Sequence, residues 1–308
     1  MDRIFAIALN TFREAVRDRV LYGVLGFAIA VLAFTLALAE LSLDQEARVV
    51  RDVGLASISF FSVVIAVFLG SSLLYKEIER KTLYVILPKP VRRHELIVGK
   101  FVGITLTASV FVGIMGAVQL YVASVQAGAP AWALLAAPLG LAVVGGLGFY
   151  RASDRAQMAP VVSVLALGTM SALAATTSVA LGPILEALLL VVGEVVLLAA
   201  VAMLFGSFST PFLTGAFTIG VWLLGRSAGT MATIHSRVLP EAVRTFLHGL
   251  SWVIPNFHLF VPNMHVLEPT EGALSPLSYV GTSLGYSVVY ASALLIVASV
   301  VFQRRDLA

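Results

Sequence analysis

"KEIERKTLYVILPKPVRRHELIVGK", residues 76–100, gathers seven of the chain's 20 Lys and Arg between two long apolar runs. The surrounding 308-residue sequence is 59% hydrophobic and 12% charged, about half the roughly 25% charge of an ordinary globular domain. Apolar runs recur along nearly its whole length, so no independent soluble domain fits and the chain is read as one all-α polytopic membrane domain over 1–308. A net charge of +3 is too small to imply a nucleic-acid partner. Basic residues here mark a membrane face instead. The chain has no cysteine, which excludes disulfides and thiolate chemistry.

Crossing roughly 30 Å of hydrocarbon takes about 20 apolar residues in a helix. Eight runs qualify, near 20–40, 55–75, 101–125, 131–150, 158–181, 184–205, 211–230 and 280–302. The fourth holds Pro138 and four glycines, a density that also suits a broken or re-entrant segment. Sending odd-numbered runs outward puts residues 76–100 with Arg3, Arg13, Arg17, Arg19, Arg151, Arg155, Arg304 and Arg305 on the cytoplasmic side. Arg48, Arg51, Arg226, Arg237 and Arg244 fall outside, so the positive-inside rule places both termini in the cytoplasm. Six spans, with 131–181 not crossing as an extra pair, obey the rule equally.

Residues 1–19 carry Ile4, Ile7, Ala8, Phe12, Ala15 and Val16 at helical spacing with charges elsewhere, the pattern of a helix lying along the lipid surface. The next run is about 20 residues long, longer than a signal peptide's apolar core, and is read as an anchor. Within 76–100, Glu77 and Lys81 sit four apart with the acid first, which supports an exposed helix. Pro88 ends it, because proline disfavours helix in the residue before it. The "PKP" corner then leads to a second helix from about Arg92, giving a cytoplasmic hairpin. Mixed charge with interleaved Leu83, Tyr84, Ile86 and Leu87 suits a protein interface, although a plain basic loop explains the charge equally well.

Chemistry is sparse. No glycine-rich phosphate loop is present, since "GKFVG" at 99–103 lacks both the glycine spacing and the hydroxyl. His94-Glu95 has Val98 where a zinc protease needs its second histidine. Glu194 stands near the middle of an apolar run, where an uncompensated carboxylate costs about 2.5–3.5 kcal/mol. It must be buried in protein, protonated or paired, as part of a substrate path or as a structural acid. Residues 231–279, an outer segment, hold His235, His248, His258 and His265 with Glu241, Glu268 and Glu271. Their spacing matches no closed metal site, and none is assigned.

Three pieces resemble the type-2 permeases of ABC exporters, a family that includes the permeases of nitrous-oxide reductase maturation and gliding motility. They are "LNTFREAVRDRVLY" at 9–22, "EIERKTLYVILPKPVRRHELIVGK" at 77–100 and "IPNFHLF" at 254–260. The resemblance implies a permease subunit of an exporter in the bacterial cytoplasmic (inner) membrane, working with a second copy or a related permease. A separate ATPase subunit would hold ATP and Mg, and this chain would bind no cofactor. By the same resemblance, Glu77, Glu79, Arg80, Lys81 and Lys89 would face the ATPase. Pro88, Pro90, Arg92 and Arg93 would set and anchor the corner, and Gly99 and Lys100 would begin the third span. Relatives usually have six spans, so 131–181 departs from the pattern. Rival readings are an ion-driven transporter with Glu194 as proton carrier, a membrane enzyme lacking any convincing catalytic set, and a scaffold that docks an ATPase.

Overall fold

The computed structural model describes residues 2–42, 45–79, 92–152, 154–232, 241–261 and 275–303. Among the described residues the regular structure is wholly helical. The helices are α1 (Asp2–Val16), α2 (Arg19–Glu40), α3 (Glu46–Glu79), α4 (Arg93–Gln126), α5 (Ala131–Arg151), α6 (Met158–Ala174), α7 (Leu181–Gly206), α8 (Pro211–Arg226), the short α9 (Ala228–Ala232), α10 (Glu241–Val253) and α11 (Pro276–Gln303). Each of the eight apolar runs falls on a helix. Six of these, α2, α3, α4, α5, α7 and α11, are long and apolar enough to cross a membrane. The helices at 158–174 and 211–226 are shorter, with 17 and 16 residues. At 1.5 Å per residue they reach about 25 Å, less than the full hydrocarbon thickness.

α7 is the central post. α3, α4, α8 and α11 all pack on it, and its residues from Ala187 to Met203 are mostly buried. A helix apolar on every side can be enclosed by protein without leaving a polar face unmatched. α5 is the opposite case: Trp132, Leu135, Leu139, Val143, Leu147 and Tyr150 are exposed, as befits a helix facing lipid. The broken or re-entrant alternative for 131–150 is not met, because α5 runs unbroken through Pro138. Proline deprives the carbonyl four residues earlier of its donor. That carbonyl, on Leu134, accepts the Tyr121 hydroxyl of α4 at 3.4 Å instead, the neighbouring-helix compensation by which membrane helices tolerate proline.

The amphipathic α1 buries Ala8, Thr11, Phe12 and Ala15 against α4. The two helices approach closely because α4 offers Gly99 and Gly103 there. A methyl at either would stand 2.7 Å from Ile7 Cβ or 2.6 Å from Thr11 Cβ, so this is a small-residue helix contact of the kind membrane interfaces use. Asp18 then stops α1 and starts α2, its carboxylate accepting the Val20 amide at 3.0 Å as an N-cap. Arg13 also reaches the Asp154 carboxylate between α5 and α6. Burial pushes that carboxyl up, but the Ala156 amide and the Arg13 guanidinium prevail and hold it below the usual carboxylate range. α1 is thereby fastened at both ends of its buried face.

Candidate coupling end and a buried ion pair

α3 and α4 have 34 residues each, so each extends about 51 Å, well beyond a hydrocarbon core of roughly 30 Å. The hairpin residues join the C-terminal end of α3 to the N-terminal end of α4. Glu77 and Glu79 lie in the closing turns of α3. Arg80, Lys81, Pro88, Lys89 and Pro90 lie outside the described residues. α4 starts where the sequence placed it: Arg92 is its N-cap residue, and the Glu95 carboxylate accepts the Arg92 amide at 2.9 Å. That bond satisfies one donor that the first turn would leave open.

Arg93 has a task that spacing did not suggest. Its guanidinium donates to the Phe302 and Gln303 carbonyls at 3.0 and 2.9 Å and lies 6.0 Å from the Phe302 ring centre. These are terminal carbonyls of α11, which lack intrahelical donors, and the negative end of the helix favours a cation. Arg93 therefore ties the start of α4 to the end of α11. Lys100 is 1% exposed and Gly99 is under α1, so both are enclosed within the bundle at the start of α4.

Glu194 is wholly buried in α7. Its Oε2 accepts the Ser59 hydroxyl of α3 at 2.7 Å, and its Oε1 accepts Trp222 Nε1 at 2.8 Å and an Arg226 amino group at 2.9 Å. Arg226 also reaches Ser59 Oγ at 3.3 Å and stacks 5.1 Å from the Trp222 ring centre. Trp222 and Arg226, four apart on α8, share a face. The sequence reading put Arg226 on the outer surface as a topology marker and gave Glu194 no partner. The only local signal was an arginine ending an apolar run. Three donors from two other helices thus hold the carboxyl group in place.

The site is roofed by residues 254–260. The 3₁₀ turn Phe257–Phe260 sends both rings into full burial. Phe260 packs where a side chain on Gly193 would lie 2.8 Å from its ring, and Phe257 and the Pro255 carbonyl crowd Gly225. Three tyrosines of α11 hold the segment. Tyr286 accepts the Asn256 amide at 3.0 Å, while Tyr279 and Tyr290 donate to the Leu259 and Val253 carbonyls at 2.9 and 2.7 Å. Of the outer histidines, His248 and His258 are described and exposed, and no metal-sized cluster forms among the described residues. His235, His265, Glu268 and Glu271 lie outside them.

A family model described as ABC-2 family transporter protein matches residues 5–307, nearly the whole chain. The chain belongs to this family. As an ABC-2 transporter protein it is a multi-pass membrane protein and a permease-type transport subunit. A comparison with curated proteins gave no match. The ABC-2 match includes 131–181, so α5 and α6 lie inside the matched region.

Proposed function

We propose that this chain is the membrane-spanning permease subunit of an ABC exporter in a bacterial cytoplasmic membrane, paired with a second permease copy and served by a separate ATPase that holds ATP and Mg. The observation that carries the reading is the family match over 5–307 joined to the two over-long helices whose ends flank the charged hairpin. Nucleotide closure of the ATPase pair would move the hairpins. α4 would pass that motion on through its contact with α1 and the Arg93 link to α11, and the bundle would switch access. Glu77, Glu79, Arg80, Lys81 and Lys89 are the docking residues in this reading, with Pro88, Pro90 and Arg92 shaping the corner. Arg93, Gly99 and Lys100 fix its base.

The test is purification of the whole protein from its native cells, with and without Glu77→Lys plus Arg80→Glu, followed by identification of bound chains and an ATPase assay. Recovery of a nucleotide-binding partner that the double change releases supports the reading. If the intact, monodisperse wild type brings down no ATPase in several detergents, the reading fails.

A further inference from the structure

At the same end of the bundle as Arg13, Arg17 and Arg151, α5 rests on α6 and barely touches α4. The wedge this leaves between α2, α4, α5 and α6 is a partly open cavity of about 750 Å³, within the roughly 300–1,000 Å³ of small-molecule sites. Its walls are apolar: Leu21 and Leu25, Phe111 and Ile114, Phe149 and Val162. Its rim is not, since Arg17 and Asp154 both line it. Asp154 is engaged by Arg13, and Arg17, exposed, forms no ion pair among the described residues. Arg19 and Arg151, also exposed, add positive charge close by. Arg17 lies in the turn just before α2, and from Arg19 to Leu25 is six residues, about 9 Å along that helix, so the cationic rim opens onto a hydrocarbon-lined interior.

We infer that this cavity binds an anionic phospholipid of the adjacent leaflet, its headgroup at Arg17 and an acyl chain between α2, α4 and α6. Two features select that class. A soluble anion would use the rim but not the apolar walls, and a neutral hydrocarbon the walls but not the rim. The positive-inside rule assigns this end of the bundle to the cytoplasmic leaflet, whose anionic lipids attract basic residues at the interface. The site does not depend on ATPase coupling and stands if that proposal fails.

The full-length protein is placed in nanodiscs of phosphatidylcholine containing a phospholipid with a mid-chain diazirine, carrying either a phosphatidylglycerol or a phosphatidylcholine headgroup. After irradiation the labelled residues are mapped. Label should concentrate at Leu21–Leu25, Phe111–Ile114 and Val162, with the glycerol headgroup favoured about fivefold, the increment expected from one interfacial arginine. Arg17→Gln, at an exposed position, should lower the headgroup preference by about that factor while chain labelling persists. Val162→Trp should displace label from Ile114. Label spread evenly over the lipid-facing residues of α5 and α11, equal labelling by both headgroups, or an unchanged preference in Arg17→Gln would each overturn the inference. The wild-type map decides the question even if Val162→Trp does not fold.

Discussion

Replacing Arg226 with Gln should expose the role of the buried pair. In the wild type three donors at 2.7–2.9 Å hold the Glu194 carboxylate. Without Arg226 the fully buried carboxylate keeps only the neutral Ser59 and Trp222 donors. Breaking one side of a buried pair costs about 3–5 kcal/mol. The Arg226 side chain keeps 27% of its surface accessible, which places the expected loss near the lower end, about 3 kcal/mol. Glu194→Gln should cost somewhat less, since the stranded arginine can turn toward that opening. The double change Glu194→Gln plus Arg226→Gln leaves two neutral amides and should lose much less than the sum of the singles, with a coupling of about 1.5 kcal/mol or more. Unfolding of the four proteins in mixed micelles, followed by circular dichroism, measures this. Single losses below about 0.5 kcal/mol, or a double loss equal to their sum within that margin, would refute the reasoning.

Further outcomes follow from the same geometry. Trp222→Phe removes a hydrogen bond to a charged acceptor and should cost about 1.5–3 kcal/mol in the same unfolding assay, with little change in the shape of the site. Gly225→Ala drives a methyl to 2.3 Å from the Pro255 carbonyl, backbone that cannot swing aside, so a loss of about 1–3 kcal/mol should appear together with faster hydrogen exchange in residues 254–260. Gly103→Leu should separate α1 from α4, raising exchange in residues 2–16 while the bundle core stays protected. Asp154 has a depressed carboxyl pKa, so its contribution is complete above the unfolded value of about 3.9. That contribution is lost only as pH falls through the lower folded value. Exchange of α1, corrected for intrinsic rates, should therefore be flat from pH 7 to about 5 and rise below pH 4, a dependence that Asp154→Asn abolishes.

Composition and periodicity were enough to establish the membrane class, the eight helical segments, the amphipathic α1 and the helix start at Arg92, because each rests on short-range chemistry: residue length against bilayer thickness, apolar spacing, a proline, a cap. The cost of a lone carboxylate in hydrocarbon likewise required that Glu194 be buried and compensated. Its partners were not legible, since Ser59 is 135 residues away and Arg226 is 32, and no local rule says which helices pack side by side. For the same reason Arg93, which reads as part of a basic surface, turns out to cap α11, a helix 209 residues further along. Pro138 shows the limit most simply. The sequence reveals a carbonyl that must lose its donor, but only the packing of α4 beside α5 supplies the Tyr121 hydroxyl that lets the helix continue.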